Sequence, residues 1–265
     1  MNPKIFNAEL PSFLWPIFGE EVTLFTYATC IVLGTFIASL YTKWRAKKEL
    51  GIIELPNWFF YSIFIAGFVG GKVFFYLERP IHFYNNPSEM LHNFSGGFVF
   101  YGSFITIIPY IIWYLKKHKI PVLPMLDILA VTTTIVHSIG RFGCFNAGCC
   151  YGSSTDSSLG IIFPASKGIT VHPTQLYEVT LLLIIMVLLL TIKRWQQFNG
   201  QIFLTYLMLY AFGRGVLEIF RGDNRGYIVS NVLSHSQFIA ICLIAIAVFF
   251  YIQLKSNQNI KPLNP

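Results

Sequence analysis

Seven stretches of this chain are apolar for long enough to cross a bilayer, and that excludes nearly every water-soluble architecture. A helix needs roughly 20 apolar residues to pass through the hydrocarbon core, and the stretches lie near 22–41, 57–77, 97–115, 122–142, 173–192, 201–220 and 234–254. Hydrophobic residues fill 54% of the 265 positions and charged ones only 12%, against roughly 25% charged in soluble domains. A soluble globule could not hide so much apolar surface. In lipid each segment must satisfy its own backbone polar groups, so the expected fold is an all-α integral membrane protein with seven transmembrane helices. No linker, charge block, low-complexity tract or repeat divides the chain, which reads as one membrane-embedded domain over 1–265. The opening MNPKIFNAELPSFLWPIFGEE has no short apolar core with a small-residue cleavage site. It reads as an interfacial segment rather than a signal peptide, with Trp15 and Phe18 at headgroup level.

The net charge of +7 belongs to topology rather than to a nucleic-acid partner, because the basic residues fall in the short loops. Lys43, Arg45, Lys47, Lys48, Lys116, Lys117, Lys119, Lys193, Arg194, Lys255 and Lys261 share one side of a seven-span chain, and Lys4, Arg79, Lys167, Arg221 and Arg225 the other. An excess of Lys and Arg marks the cytoplasmic side. The C-terminus is therefore expected in the cytoplasm and the N-terminus outside. The long connections 78–96 and 143–172, and the loop 221–233, then face the outer side.

Two arginines sit inside the spans, Arg141 in HSIGRFG and Arg214 in LMLYAFGRGVLEIF. Placing such a charge in a span costs at least about 2.5 kcal/mol on insertion scales, so it marks a site. Both stay charged at physiological pH and bind phosphate through two parallel N–H groups, which makes an anionic phospholipid headgroup a natural partner. His137 lies one helical turn before Arg141. Tyr210, Arg214 and Glu218 follow at i, i+4 and i+8, along one helical face. Lys72 is expected to snorkel to the outer interface rather than pair with Glu78, and Asp127 to be an ordinary interfacial polar residue.

Three motifs carry the rest of the polar chemistry: SGGFVFYG (95–102), GRFGCFNAGCCYG (140–152) and HPTQLYE (172–178). The glycines at 140, 143, 148 and 152 are expected to break the exit of the fourth span, letting a loop fold back over a headgroup. HPTQLYE places Pro173 near the first turn of the fifth span and Glu178 further in. Of the five cysteines, Cys30 and Cys242 read as packing residues. Cys144, Cys149 and Cys150 are open to a disulfide or to plain packing. Their spacing lacks the usual zinc pattern and offers no fourth ligand, so no metal site is expected.

These motifs, with Tyr210, Arg214, Glu218 and Arg221 behind them, resemble the signature of the prolipoprotein diacylglyceryl transferases, and the likeness runs from Tyr27 to Arg221. The resemblance implies transfer of the diacylglyceryl group of phosphatidylglycerol to the lipobox cysteine thiol of preprolipoproteins, with release of glycerol phosphate. It implies a multi-pass enzyme of the bacterial cytoplasmic membrane, working toward the outer side as a monomer without cofactor or metal. Arg141 and Gly152 match the signature's arginine and closing glycine, and Tyr210, Arg214 and Glu218 match its sixth-span set. Arg221, Tyr27, Gly97, His172 and Gln175 are implied on the substrate side. The chain departs from the family pattern where Tyr101 stands for a histidine, Cys144 for an asparagine and Cys149 for a glutamate. A tyrosine, with a reference pKa of about 10, is a poor base, so His137 is expected to take the acceptor thiol's proton while Tyr101 donates a hydrogen bond. A transferase with another acceptor, or a transporter of an anionic lipid, are the competing readings; the paired, interrupted spans of transporters are not seen.

Overall fold

The computed structural model describes residues 4–9, 21–78, 80–85, 100–222, 227–229 and 233–257. In chain order these form β1 (Lys4–Glu9), β2 (Glu21–Phe25), α1 (Thr26–Leu50), α2 (Asn57–Glu78), α3 (Pro80–Asn85), α4 (Phe100–Lys117) and α5 (Val122–Ala147). There follow β3 (Ile161–Ile162), β4 (Thr170–Val171), α6 (Thr174–Ile192), α7 (Gln201–Leu217), β5 (Tyr227–Val229), β6 (Leu233–Ser234) and α8 (His235–Asn257). The strands make three two-stranded antiparallel ribbons, β1–β2, β3–β4 and β5–β6. Among the described residues seven helices are long, and each overlaps one expected span. Among the described residues five segments, Asn57–Leu77, Val122–Ala147, Thr174–Trp195, Gln201–Phe220 and Ser236–Asn257, are long and apolar enough to cross a membrane. The chain is thus a helical, multi-pass membrane protein.

Burial runs the way lipid demands. Helix α6 turns Gln175 and Glu178 inward, at 1% and 2% exposure, while Ile184 and Val187 stand 53% and 58% exposed. An apolar exterior over a polar interior costs nothing against hydrocarbon, whereas in water it would forfeit the burial of large side chains.

The helices gather into two compact units, Met1–Trp44 with Leu126–Pro265, and Arg45–Met125. In the second, α2 packs along α4, where Ser103 Oγ donates 2.7 Å to the carbonyl of Gly67. Lys72 belongs here and is buried at 6% exposure, with its ammonium 5.9 Å from the Phe75 ring centroid. It does not snorkel as expected, because packing covers its whole stem.

In the first unit Ala130 and Val131 of α5, Ile185 and Leu189 of α6, and Ile202 and Tyr206 of α7 form the core. Helix α1 is tied to α5 by a 2.7 Å bond between the hydroxyls of Thr42 and Thr132. Asp127, expected at the interface, is 1% exposed. Its carboxylate accepts from the N–H groups of Gly200 and Phe203 at 2.7 and 2.9 Å and from Gln196 Nε2 at 2.6 Å. The first helical N–H groups have no partner inside their own helix, and Gly200 ahead of α7 has no side chain to cap them. Asp127 supplies the cap from a neighbouring helix.

Two expectations about the spans are corrected. The first does not start as helix at 22: residues 21–25 pair with β1, and the helix runs from Thr26 on to Leu50. The fourth is not broken at its exit, since α5 continues through Gly140 and Gly143 to Ala147. There Gly143 serves approach rather than bending: a Cβ on it would lie 2.9 Å from Cys30 Cβ. The helix ends only at Gly148, whose φ of 69° suits glycine. Trp15 and Phe18 lie outside the described residues, as does most of 78–96.

Candidate functional site

Glu178 holds the polar interior of the first unit together. It sits in the second turn of α6, 3% exposed at its side chain, and its two oxygens meet three groups from α5 and α7. Arg141 Nε lies 3.0 Å from Oε2, and His137 Nε2 lies 3.2 Å from Oε1. Tyr210 donates its hydroxyl to Oε1 at 2.9 Å. The His137 and Tyr210 rings pack at 5.3 Å, and Tyr206 stacks on Tyr210 at 5.8 Å and 12°. One helical turn between His137 and Arg141 puts both on one face of α5, which is why a single carboxylate reaches both. A half-buried guanidinium within a span needs such an answer. The pair engages Arg141 through Nε, whereas planar anions are gripped by two parallel N–H groups of the fork.

A second cation is paired nearby in sequence: Arg214 Nη1 lies 2.6 Å from Glu218 Oε2. Helix α7 stops at Leu217 and tightens into one 3₁₀ turn, Glu218–Phe220. Tyr210 and Arg214 therefore serve different carboxylates, although spacing alone stacks both on one face.

The loop 148–173 is laid over this end of the unit by its own backbone. Gly152 N–H donates to the His172 carbonyl at 2.8 Å, His172 N–H to the Ser153 carbonyl at 3.0 Å, and Ser153 N–H to the Phe220 carbonyl at 2.9 Å. A side chain at Gly152 would strike the Phe220 carbonyl oxygen, Thr174 and His172. The first turn of α6 grips the loop as well: Thr174 Oγ1 donates to the Cys150 carbonyl at 3.0 Å and Gln175 Nε2 to the Cys149 carbonyl at 2.6 Å. His172 Nδ1 lies 3.2 Å from the Tyr177 hydroxyl, and its ring meets Phe220 edge-on at 5.3 Å.

Where GRFGCFNAGCCYG ends, three sulfurs converge. The Sγ atoms of Cys144, Cys149 and Cys150 all lie within 4.8 Å of one another. All five cysteines are free thiols, so the disulfide left open by the sequence is not formed. Cys150, outside the helices, has its thiol drawn below the usual range, first by the Cys144 and Cys149 thiols donating to its sulfur, then by the charges of Arg141 and Arg221.

This arrangement falls within a segment that matches known proteins. The family model described as prolipoprotein diacylglyceryl transferase covers residues 14–253. The chain belongs to that family. It is 34% identical to the phosphatidylglycerol–prolipoprotein diacylglyceryl transferase of Clostridium tetani over 90% of this chain and 95% of the relative. It is 31% identical to a second such transferase from Clostridium perfringens, over 90% and 93%. A Rickettsia bellii transferase is 30% identical over 98% of both chains.

Within this diacylglyceryl transferase fold the expected residues divide. His137, Arg141 and Tyr210 are brought to one carboxylate. Arg214 and Glu218 are brought to each other. Gly152 and His172 are brought together in the loop, and Gln175, from the first turn of α6, holds the loop's Cys149 carbonyl. Tyr27 of α1 lies against the same end, its ring carbon Cδ2 3.4 Å from where a Cβ on Gly143 would stand. Arg221 follows the 3₁₀ turn, its N–H donating to the Glu218 carbonyl at 3.1 Å. Gly97 and the side chain of Tyr101 lie outside the described residues. Glu178 is the residue that sequence reasoning passed over as a site. The signal was present, since a carboxylate inside a span must find a cation, and HPTQLYE places it near the end where Arg141 lies.

Proposed function

We propose that this chain transfers the diacylglyceryl group of phosphatidylglycerol to the lipobox cysteine thiol of preprolipoproteins, releasing glycerol phosphate. The observation that carries the reading is the pair of intramembrane arginines, Arg141 and Arg214, each held by a carboxylate inside a chain of the transferase family. In this reading the guanidiniums grip the donor's phosphate. The acceptor sulfur attacks the glycerol carbon that bears the phosphate ester, a C–S bond forms, the C–O bond breaks, and the phosphate leaves with glycerol. Arginine charge counters the negative charge that grows on the departing oxygen, the general role of fixed cations at such a centre. His137, held through Nε2 by Glu178, has Nδ1 left to take the acceptor thiol's proton. Tyr210, Arg221, His172 and Tyr27 line the donor's side, and Tyr101 donates to phosphate or ester oxygen.

The same reading makes the protein a single membrane-embedded domain over 1–265 and a monomer of the bacterial cytoplasmic membrane, with seven spans, N-terminus outside and C-terminus in the cytoplasm. The two helices not counted among the apolar five, α1 and α4, carry Lys47 and Lys48, and Lys116 and Lys117, in their last turns, as cytoplasmic ends would. The test uses the purified full chain in detergent, phosphatidylglycerol and a lipobox peptide, followed by mass spectrometry. Thioether-linked diacylglyceryl peptide and equimolar glycerol phosphate are expected. Glycerol phosphate released without modified peptide would point to another acceptor. No turnover of lipid would leave an anionic-lipid binder.

A further inference from the structure

Cys144, Cys149 and Cys150 are spread over seven residues, yet the fold brings their sulfurs within 4.8 Å of one another. That convergence is built rather than incidental. Helix α5 ends on Gly148 with positive φ, and the Cys149 N–H turns back to the Cys144 carbonyl at 3.2 Å. Cys150 is itself held at φ 64°, a left-handed conformation uncommon outside glycine. Gln175 and Thr174 then lock the carbonyls of Cys149 and Cys150 from α6. A non-glycine residue kept in that region signals that the surrounding structure requires it.

Three converging thiolates suit a thiophilic cation, and three protein ligands with an open fourth position are the mark of a catalytic rather than a structural zinc site. The missing fourth ligand, which in the sequence argued against a metal, becomes the opening. Charge also fits, since three thiolates on a divalent ion leave a single net negative charge.

We propose that Cys144, Cys149 and Cys150 hold a zinc ion whose fourth position takes the acceptor's cysteine thiol. The inference rests on the transferase reading for the identity of that acceptor. On the metal the acceptor S–H loses its proton to the base of the site, and the zinc-held thiolate attacks the glycerol carbon. The C–S bond forms as the C–O bond breaks, the zinc releases the sulfur as a thioether, and the phosphate monoester leaves with the electron pair. No oxidant or reductant is consumed. Two of the three departures from the family pattern, Cys144 and Cys149, would be ligands of this ion.

The experiment uses the full-length protein in detergent, purified with reductant and without chelator. Zinc measured by mass spectrometry should be close to one per chain, and cobalt(II) added to stripped protein should give near-ultraviolet thiolate-to-metal absorption with tetrahedral d–d bands. Cys144→Ser, Cys149→Ser and Cys150→Ser should each weaken cobalt binding at least about tenfold, since even outer groups at metal sites are worth 10–100-fold. A lipobox peptide, added without phospholipid, should intensify the thiolate band; its Cys→Ser counterpart should not. Protein that carries no zinc, gives no cobalt band or binds only copper(I) overturns the proposal, as does a cobalt band indifferent to the peptide thiol. Because the cobalt titration uses the unsubstituted chain, misfolding of a variant does not blur the result. Transfer by protein that binds no metal leaves the transferase reading standing and removes this one. A peptide-responsive cobalt band with no lipid transfer supports the metal and removes the transferase.

Discussion

At the scale of single residues, the two arginines and Glu178 separate structure from chemistry. Arg214→Lys keeps the charge but loses the planar fork, so phosphatidylglycerol turnover should fall at least about tenfold, the worth of one charge-assisted bond; normal turnover would remove Arg214 from phosphate binding. Glu178→Gln leaves the half-buried Arg141 without its carboxylate, and the expected loss lies at or below the low end of the about 3–5 kcal/mol for breaking a fully buried pair. Thermal unfolding in detergent should shift down accordingly. Adding Arg141→Gln should restore much of the stability and none of the transfer, because the second change removes the orphaned charge together with the proposed phosphate ligand. His137→Gln should lose about 10²–10⁴-fold in rate with lipid affinity nearly intact, the usual worth of a positioned base. Raising the pH should recover part of that loss, since an acceptor thiol with a pKa near 8.5 then ionises unaided. Unchanged rate in His137→Gln would move proton handling elsewhere, Tyr101 first.

At the scale of elements, the loop 148–173 matters because it is tied to two helices at once. Its hydrogen bonds run to Phe220 beyond α7 and to the first turn of α6, and the tightest point is Gly152. Gly152→Ala should cost about 1–3 kcal/mol, the range for overpacking, because its Cβ falls on a carbonyl oxygen that cannot rotate away. Limited proteolysis should then cut within 153–169 faster than in the parent protein; an unchanged digest would mean the loop is held without that contact. The same element scale explains the glycines misread as breaks. A helix tolerates glycine at modest cost, and at Gly143 that cost is met by α1 lying close against α5.

At the scale of the whole molecule, orientation decides on which side of the membrane the loop and its sulfurs lie. On the proposed topology, with the C-terminus in the cytoplasm, green fluorescent protein fused after Asn257 should fluoresce and alkaline phosphatase fused there should be inactive. The reverse pair of results would invert the topology and place the loop on the cytoplasmic face. Seven long helices were legible in the sequence because spanning length is a local property, written in consecutive apolar residues. Their ends were less so: residues 21–25 are apolar enough to join a span, but pairing with β1 claims their backbone.

Most of the candidate site's polar residues were legible for the same local reason. A charge inside an apolar run is conspicuous, and Arg141, Arg214, His137 and Tyr210 stood out without any fold. Who answers whom was not legible. Glu178 lies 37 residues after Arg141 in sequence and 3.0 Å from it in space. Asp127 caps a helix that begins 74 residues later, and spacing gave no reason to prefer that partner to water. The three cysteines are the clearest case, since their order along the chain matched no metal pattern while their sulfurs meet at one point. Helical periodicity and hydropathy act over a few residues, so the sequence by itself determined the helices, the membrane and the buried charges. Pairing distances depend on how helices pack and where loops return, and only the tertiary structure decided those.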